Sequence, residues 1–318
     1  MPRKARIEIP GEVHHVMARG LDGMEIFRCD ENRRWLIHLL ERYLAFFDNR
    51  CYAWALLPNH YHLLVRISAP NLGLMMRRLN GAYAKRFNMS HGRRGYLFMN
   101  RYKSVAVQSR RYFKELVAYI HLNPIRAGIV ESLQQLAWYP WCSHTDYLGK
   151  SRHSWLSHEE GLKYFESSHA EFHQSYFAFL EEKLEYEADE TLRMDDVDGF
   201  PAVDNRVVGD EEFVRTAMEK EKAFRDHRNA LRKRELGVED IAKRVAAALG
   251  VDSSLMRRES RRGPLAKARA LTAYLARREL SAPLREIAEY LCLSVPATSL
   301  AASRGARLVA EHDFDADI

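Results

Sequence analysis

The chain has 318 residues, so at roughly 150 residues per domain it has room for two compact units and needs no disulfide or metal staples. Hydrophobic residues make up 47%, charged residues 29%, and the formal net charge is +6, with a mean hydropathy of −0.42. These values describe a globular chain, exclude one buried in a bilayer, and suit a polyanionic partner without identifying it.

No apolar stretch follows the basic opening Met1-Pro2-Arg3-Lys4-Ala5-Arg6, so a cytoplasmic location and no membrane partner are expected. Residues 14–19 read as a strand, and Asp30-Glu31-Asn32 opens a helical pattern carrying Trp35, Leu36, Leu39, Leu40, Tyr43 and Leu44. Two β-rich runs, 51–57 and 60–67, are separated by Pro58-Asn59 and predict a hairpin. Residues 71–87 predict a basic amphipathic helix, with Leu72, Met75, Met76, Leu79 and Tyr83 on one side. A strand over 102–108 and a helix over 112–123 complete an α+β unit, an antiparallel sheet flanked by helices, over 1–150.

Residues 151–187 predict an aromatic-rich helical extension, and 188–208 an acidic linker. From 209 to 318 the pattern is helical and basic, with breaks at Gly237, Gly250, Gly263-Pro264 and Pro283. Cys29, Cys51, Cys142 and Cys292 form no closely spaced pair, which predicts buried free thiols.

Chemistry concentrates in two segments. In His60-Tyr61-His62 both imidazoles share one face of a strand, because side chains alternate along it. Two such rings can hold a divalent cation. In Tyr119-Ile120-His121-Leu122-Asn123-Pro124, a phenol and an amide lie one helical turn apart, and Pro124 is expected to end the helix at Asn123. Around these motifs, Arg77, Arg78, Arg101 and Lys103 alternate with Tyr83, Phe87, Tyr96, Phe98 and Tyr102, a composition suited to single-stranded or hairpin DNA.

Read together, the two motifs resemble the tyrosine (Y1) transposases of the HUH nuclease superfamily, and more closely the REP-associated tyrosine transposases. His60-Tyr61-His62 matches their His-hydrophobic-His motif, and residues 119–128, through Arg126, Ala127 and Gly128, match their YIHxNPxxAG motif. The likeness extends over roughly residues 5–185 and departs at Phe98-Met99-Asn100, where a glycine is expected before Arg101. It implies a ferredoxin-like domain in which Tyr119 attacks a phosphodiester of single-stranded DNA to give a 5′-phosphotyrosine. It also implies His60, His62 and Asn123 as ligands of Mg²⁺ or Mn²⁺, and DNA contacts through Arg77, Arg78, Arg101, Lys103 and Arg126. Rival readings are a domesticated DNA-binding regulator without turnover and a replication or relaxase-type HUH initiator.

Residues 236–308 resemble the duplex-binding helix-turn-helix domain of the bacterial replication initiator DnaA. Leu284 to Leu291 would form the first helix of the motif, Cys292-Leu293-Ser294 the turn, and Pro296 to Val309 the recognition helix. The likeness implies duplex contacts through Arg269, Arg277, Arg278 and Thr298. A monomer or homodimer is expected.

Overall fold

Strand β1 (Val13–Arg19) leads into helix α1 (Asp30–Phe47), the hairpin β2 (Arg50–Leu57) and β3 (His60–Arg66), helix α2 (Leu72–Ser90) and strand β4 (Lys103–Val107). The computed structural model describes residues 6–150, 153–165, 172–188, 206–233, 236–258, 263–280 and 282–312. The sheet order is β2-β3-β1-β4-β5, where β5 (Val207–Val208) is a late addition at the edge. The first four strands pair antiparallel, in the order that a ferredoxin-like βαββαβ chain produces, and β4–β5 is parallel.

Alternation divides the sheet into two faces. Val16, Ala18, Tyr61, Leu63 and Val65 are buried on one. This face carries α2, through the Tyr61 hydroxyl donated to Asn80 Oδ1. Helix α1 lies beside α2, with Arg86 bound to Glu31 at 2.8 Å and its guanidinium over Trp35 at 4.2 Å. The buried residues of α2 are Leu72, Met75, Met76, Leu79, Tyr83 and Phe87, the side that its periodicity predicts.

Helix α3 (Ser109–Arg126) covers the other face. Phe113, Leu116, Val117 and Ile120 share a core there with Val13, Ala53, Ala55, Leu57, Leu64, Val105 and Val107. The small side chains of β2 admit the helix closely. Pro124 does not end α3 at Asn123, as the sequence predicts; the helix runs on to Arg126. A proline removes one donor, the amide that would bond the Ile120 carbonyl, and biases the residue before it away from helical geometry, while side chains add bonds to the carbonyl one residue earlier. Asn123 Nδ2 donates to the Tyr119 carbonyl at 2.8 Å and Arg126 Nη1 to the same oxygen at 2.9 Å.

Short helices α4 (Leu133–Leu136), α5 (His144–Tyr147) and α6 (His158–Leu162) and the longer α7 (Phe172–Ala188) follow. Tyr147, Leu162, Phe165, Tyr176 and Leu180 join the α3 core, so the aromatic extension is part of this unit.

Most of the acidic linker, 189–205, lies outside the described residues. Its last residues are not a linker: Val207 is buried with Ile7, Ile9 and Ala106, and Val214 and Ala217 of helix α8 (Glu211–Lys233) join them. The first compact unit accordingly holds 1–45 and 49–219, and the second holds 46–48 and 220–318, rather than starting at 209. Cys51 and Cys142 are buried free thiols, whereas Cys29 and Cys292 are exposed, contrary to the sequence expectation for those two.

The second unit contains α9 (Val238–Ala248), α10 (Gly263–Glu279), α11 (Leu284–Leu291) and α12 (Val295–His312). Their core includes Ile241, Val245, Met256, Leu271, Leu275, Ile287 and Leu291. Gly305 of α12 must be glycine, because an added Cβ would lie 2.1 Å from the Ala270 carbonyl oxygen of α10. Cys292 closes α11 in the left-handed region at φ 50°, and Ser294 Oγ accepts the Ala297 amide at the start of α12. The expected helix, turn and helix are all formed. Among the described residues, no helix is long and apolar enough to cross a membrane.

Candidate active site

His60 and His62 project from the α3 side of β3, where β1 lies alongside in a register that pairs Met17 with His62 and Arg19 with His60. Their rings are 5.0 Å apart. The ring of Tyr119 of α3, half-buried, lies near-perpendicular to those of both His62 and His15 with ring centres 5.7 Å apart, and the Arg126 guanidinium covers its face at 4.8 Å. The strand motif and the helix motif therefore meet.

Hydrogen bonds decide which atoms point into the site. Asn59 Nδ2 donates to the Gly23 carbonyl at 3.2 Å, so its Oδ1 must accept from His60 Nδ1 at 2.6 Å. A proton on Nδ1 leaves the His60 Nε2 lone pair for another ligand. His62 Nδ1 is 2.9 Å from His15 Nε2, and the His62 Nε2 atom is buried with no hydrogen-bond partner. Asn123 points its NH₂ group at the Tyr119 carbonyl, which leaves Oδ1 as the available end of the amide.

Burial, with help from Arg19, pushes His60 down to about 4. His15 is pushed down to about 4 by burial and Lys103. His62 lies well below its ordinary value through burial and the nearby His15, His60 and Arg126. All three rings are thus neutral near pH 7 and can ligate. Two imidazole nitrogens and an amide oxygen fit an open divalent site and do not suit a closed thiolate zinc site. Among the described residues, no group of three or more histidine, cysteine or carboxylate side chains converges to hold a metal ion. His15 is instead turned to its neighbour His62.

The third histidine of the motif has another task. His121 is buried, with Nδ1 bound to the Tyr176 hydroxyl at 2.7 Å and Nε2 bound to Ser143 Oγ at 2.7 Å, tying α3 to α7 and to the start of α5.

Of the basic residues singled out, Lys103 and Arg126 border the site, their charges reaching His15 and His62. Arg77 and Arg101 line a cavity on the α2 side of the sheet instead. Arg78 of α2 is half-buried. In the second unit, Arg269 is a correction: it is 3% exposed and donates from Nη2 to the Leu291 carbonyl at 2.8 Å, so it holds the end of α11 rather than facing solvent. Thr298 is a second correction, fully buried with Oγ1 donated to the Ser294 carbonyl at 3.0 Å. Arg277 is half-buried, and Arg278 pairs with Glu279.

Sequence reasoning missed His15, Arg19 and Asn59, whose roles depend on strand register. It also missed Arg304 and Arg307, which follow the exposed Leu300 along one face of α12 at spacings of four and three.

Residues 15–123, about a third of the chain, match the family described as Transposase IS200 like. The search of curated proteins found no match. A solved structure of a REP-associated tyrosine transposase bound to a REP hairpin aligns with 49% of this chain and 98% of its own, at 16% identity and a TM-score of 0.40.

Proposed function

We propose that this chain, which carries an IS200-like transposase segment over residues 15–123, cuts and rejoins single-stranded DNA with Tyr119 as the nucleophile. The observation that carries the reading is the meeting of Tyr119 with His62, whose ring in turn neighbours His60, on a cationic, partly buried face. In the cleavage step the Tyr119 phenolic oxygen forms a bond to phosphorus and the bond from phosphorus to the 3′-oxygen breaks. The phenolic proton leaves to solvent, and the departing 3′-oxygen takes up a proton. The 5′-phosphotyrosine stores the bond energy, so attack by a 3′-hydroxyl rejoins a strand without a nucleotide cofactor.

A phenol with an ordinary pKa of ~10 is a weak nucleophile at neutral pH, so the phosphate needs activation. His60 Nε2, His62 Nε2 and Asn123 Oδ1 are the atoms that would hold Mg²⁺ or Mn²⁺, which when bound polarises the phosphate oxygens. Asn59 holds the His60 ring in the ligating tautomer. His15 does the same for His62 when it accepts the Nδ1 proton. Arg126 restrains the Tyr119 ring and, with Lys103 and Arg19, supplies positive charge for a polyanion.

The second unit is read as a duplex-binding module, with the outward Arg304 and Arg307 of α12 as its phosphate contacts and Arg269 and Thr298 as its internal supports.

The test is to incubate the full chain and Mn²⁺ with labelled single-stranded DNA from the flanks of its own gene. A protein–DNA adduct that survives denaturation, maps to Tyr119 and is absent with excess chelator is the expected result. An adduct on Tyr102, or full cleavage in chelator, overturns the assignment.

A further inference from the structure

A cavity of about 780 Å³ lies on the α2 side of the sheet, behind β3 as seen from Tyr119. We propose that it receives one unstacked nucleobase of the strand presented to Tyr119, with neighbouring phosphates on Arg77 and Arg101. The assignment rests on the single-strand reading above and adds to it a second contact point on the opposite face.

The position follows from strand alternation. His60 and His62 face α3, and Tyr61 between them faces α2, where it bonds Asn80 and lies 6.4 Å from the ring of Phe98, both cavity residues. The wall segment around Phe98 is also fastened to the end of β1 that carries Arg19. Phe98 bridges Gly20, and the Met99 amide donates to the Arg19 carbonyl at 3.0 Å. A strand crossing this edge passes from the cavity to the histidines around one end of the sheet.

The lining selects the ligand. Met76, Leu97 and Phe98 are apolar, and at the mouth Tyr96 is 85% exposed and Met99 49% exposed, large apolar groups left to solvent. Among the described residues, three arginines line the cavity, and the nearest carboxylate, Glu8, is taken up by the Gly73 amide at 2.7 Å and lies beside the Tyr102 hydroxyl. Arg6 is held, stacked on Tyr102 at 4.1 Å and donating to its carbonyl, while Arg77 and Arg101 are exposed. The occupant is therefore anionic and has an apolar face. Asn80 favours a base over an acyl chain, because its Oδ1 takes the Tyr61 hydroxyl and its NH₂ group remains for a base edge. Stacking on a tyrosine face is tolerant of sequence, as single-strand binding requires.

Gly81 makes the idea testable without removing a charge or an aromatic. It lines the cavity from α2, and an added Cβ would meet nothing within 4 Å. Leucine is also the better helix former, so Gly81→Leu fills the space while keeping the fold. The full chain bearing Tyr119→Phe is bound to flank DNA carrying 5-iodo-deoxyuridine at successive positions, irradiated, and mapped. We expect crosslinks to Tyr96 or Phe98 from one or two unpaired positions near the cleavage position. Gly81→Leu should remove them and weaken single-strand affinity about tenfold, with thermal unfolding unchanged or raised.

Crosslinks to 95–102 only from paired positions, or affinity and crosslinks unaltered by Gly81→Leu, overturn the proposal, as does displacement of a bound fatty acid with no effect on DNA. If the chain with Tyr119 intact forms its adduct while the crosslinks lie elsewhere, only the cavity assignment fails. If it forms no adduct on any tyrosine, the functional reading fails first.

Discussion

Two histidines of the same unit, His62 and His121, are both buried and both held neutral, yet they end in opposite situations. His121 spends both ring nitrogens on protein hydroxyls, Tyr176 and Ser143. His62 spends one on His15 and leaves Nε2 buried without a partner. A buried polar atom left bare costs about 1–3 kcal/mol, a cost that a ligand on His62 Nε2 would relieve. Burial alone does not separate a structural histidine from a ligand, and neither does a bare nitrogen, which buried His144 also keeps; what sets His62 apart is the second imidazole and the phenol beside it.

The sharpest test of that contrast is on the phenol beside His62. Tyr119→Phe should lower strand cleavage more than about 1000-fold and abolish the adduct. Single-strand affinity measured by anisotropy should stay within about twofold, because only a hydroxyl is lost. Persistent cleavage would break the comparison at its premise.

Next, His62→Ala and His60→Ala should each lower Mn²⁺-stimulated cleavage about 100-fold or more and remove Mn²⁺ binding by calorimetry, with Asn123→Ala weaker since water replaces an amide. His121→Ala should instead cost roughly 2–4 kcal/mol of stability through the cavity and the unpaired hydroxyls, while the folded fraction still binds Mn²⁺. Loss of metal binding at unchanged stability in His121→Ala would reverse the two roles.

His15→Phe keeps a ring of similar shape and removes the bond to His62. It should weaken Mn²⁺ affinity about 10-fold, with His15→Gln recovering part of the loss. The nitrogen-15 chemical shifts of His62 should show its tautomer no longer fixed, a change that a packing role would not produce.

A milder separation is between the two units under acid. His14 and His144 are pushed down to about 4 by burial. Their unfolded counterparts protonate near 6.5, so the unfolded state binds more protons between those values. Stability of the first unit should therefore fall as pH drops from about 6.5 towards 4, by about 1.4 kcal/mol per pH unit for each such group, and level off below. All five tryptophans lie at or before Trp155, so their emission follows that unit alone. A flat profile there would contradict the burial of these rings.

The smallest effect concerns the second unit. Arg304→Ala should reduce the log–log salt slope of duplex binding by about 0.9, or about threefold in affinity between 50 and 200 mM salt. Arg269→Ala should lower the unfolding midpoint instead, because it releases the Leu291 carbonyl. Equal salt slopes for wild type and Arg304→Ala would remove α12 as the DNA-facing helix.

What the amino-acid sequence determined by itself was whatever depends on near neighbours. Period-two alternation put His60 and His62 on one face, a single helical turn put Asn123 beside Tyr119, and Pro58-Asn59 turned the hairpin. Even the break between α11 and α12 was legible, since Cys292 and Ser294 are local signals. Tertiary structure decided what depends on residues far apart in the chain. Register brought His15 to His62 across 47 positions, and Gly23 oriented Asn59 and through it His60. The edge of β4 drew Val207 and Val208 out of an acidic stretch into a fifth strand. Packing turned Arg269 and Thr298 inward, although composition reads them as surface. A charge or a ring in sequence states what a side chain can do, and only its packed surroundings decide which of its atoms remain free to do it.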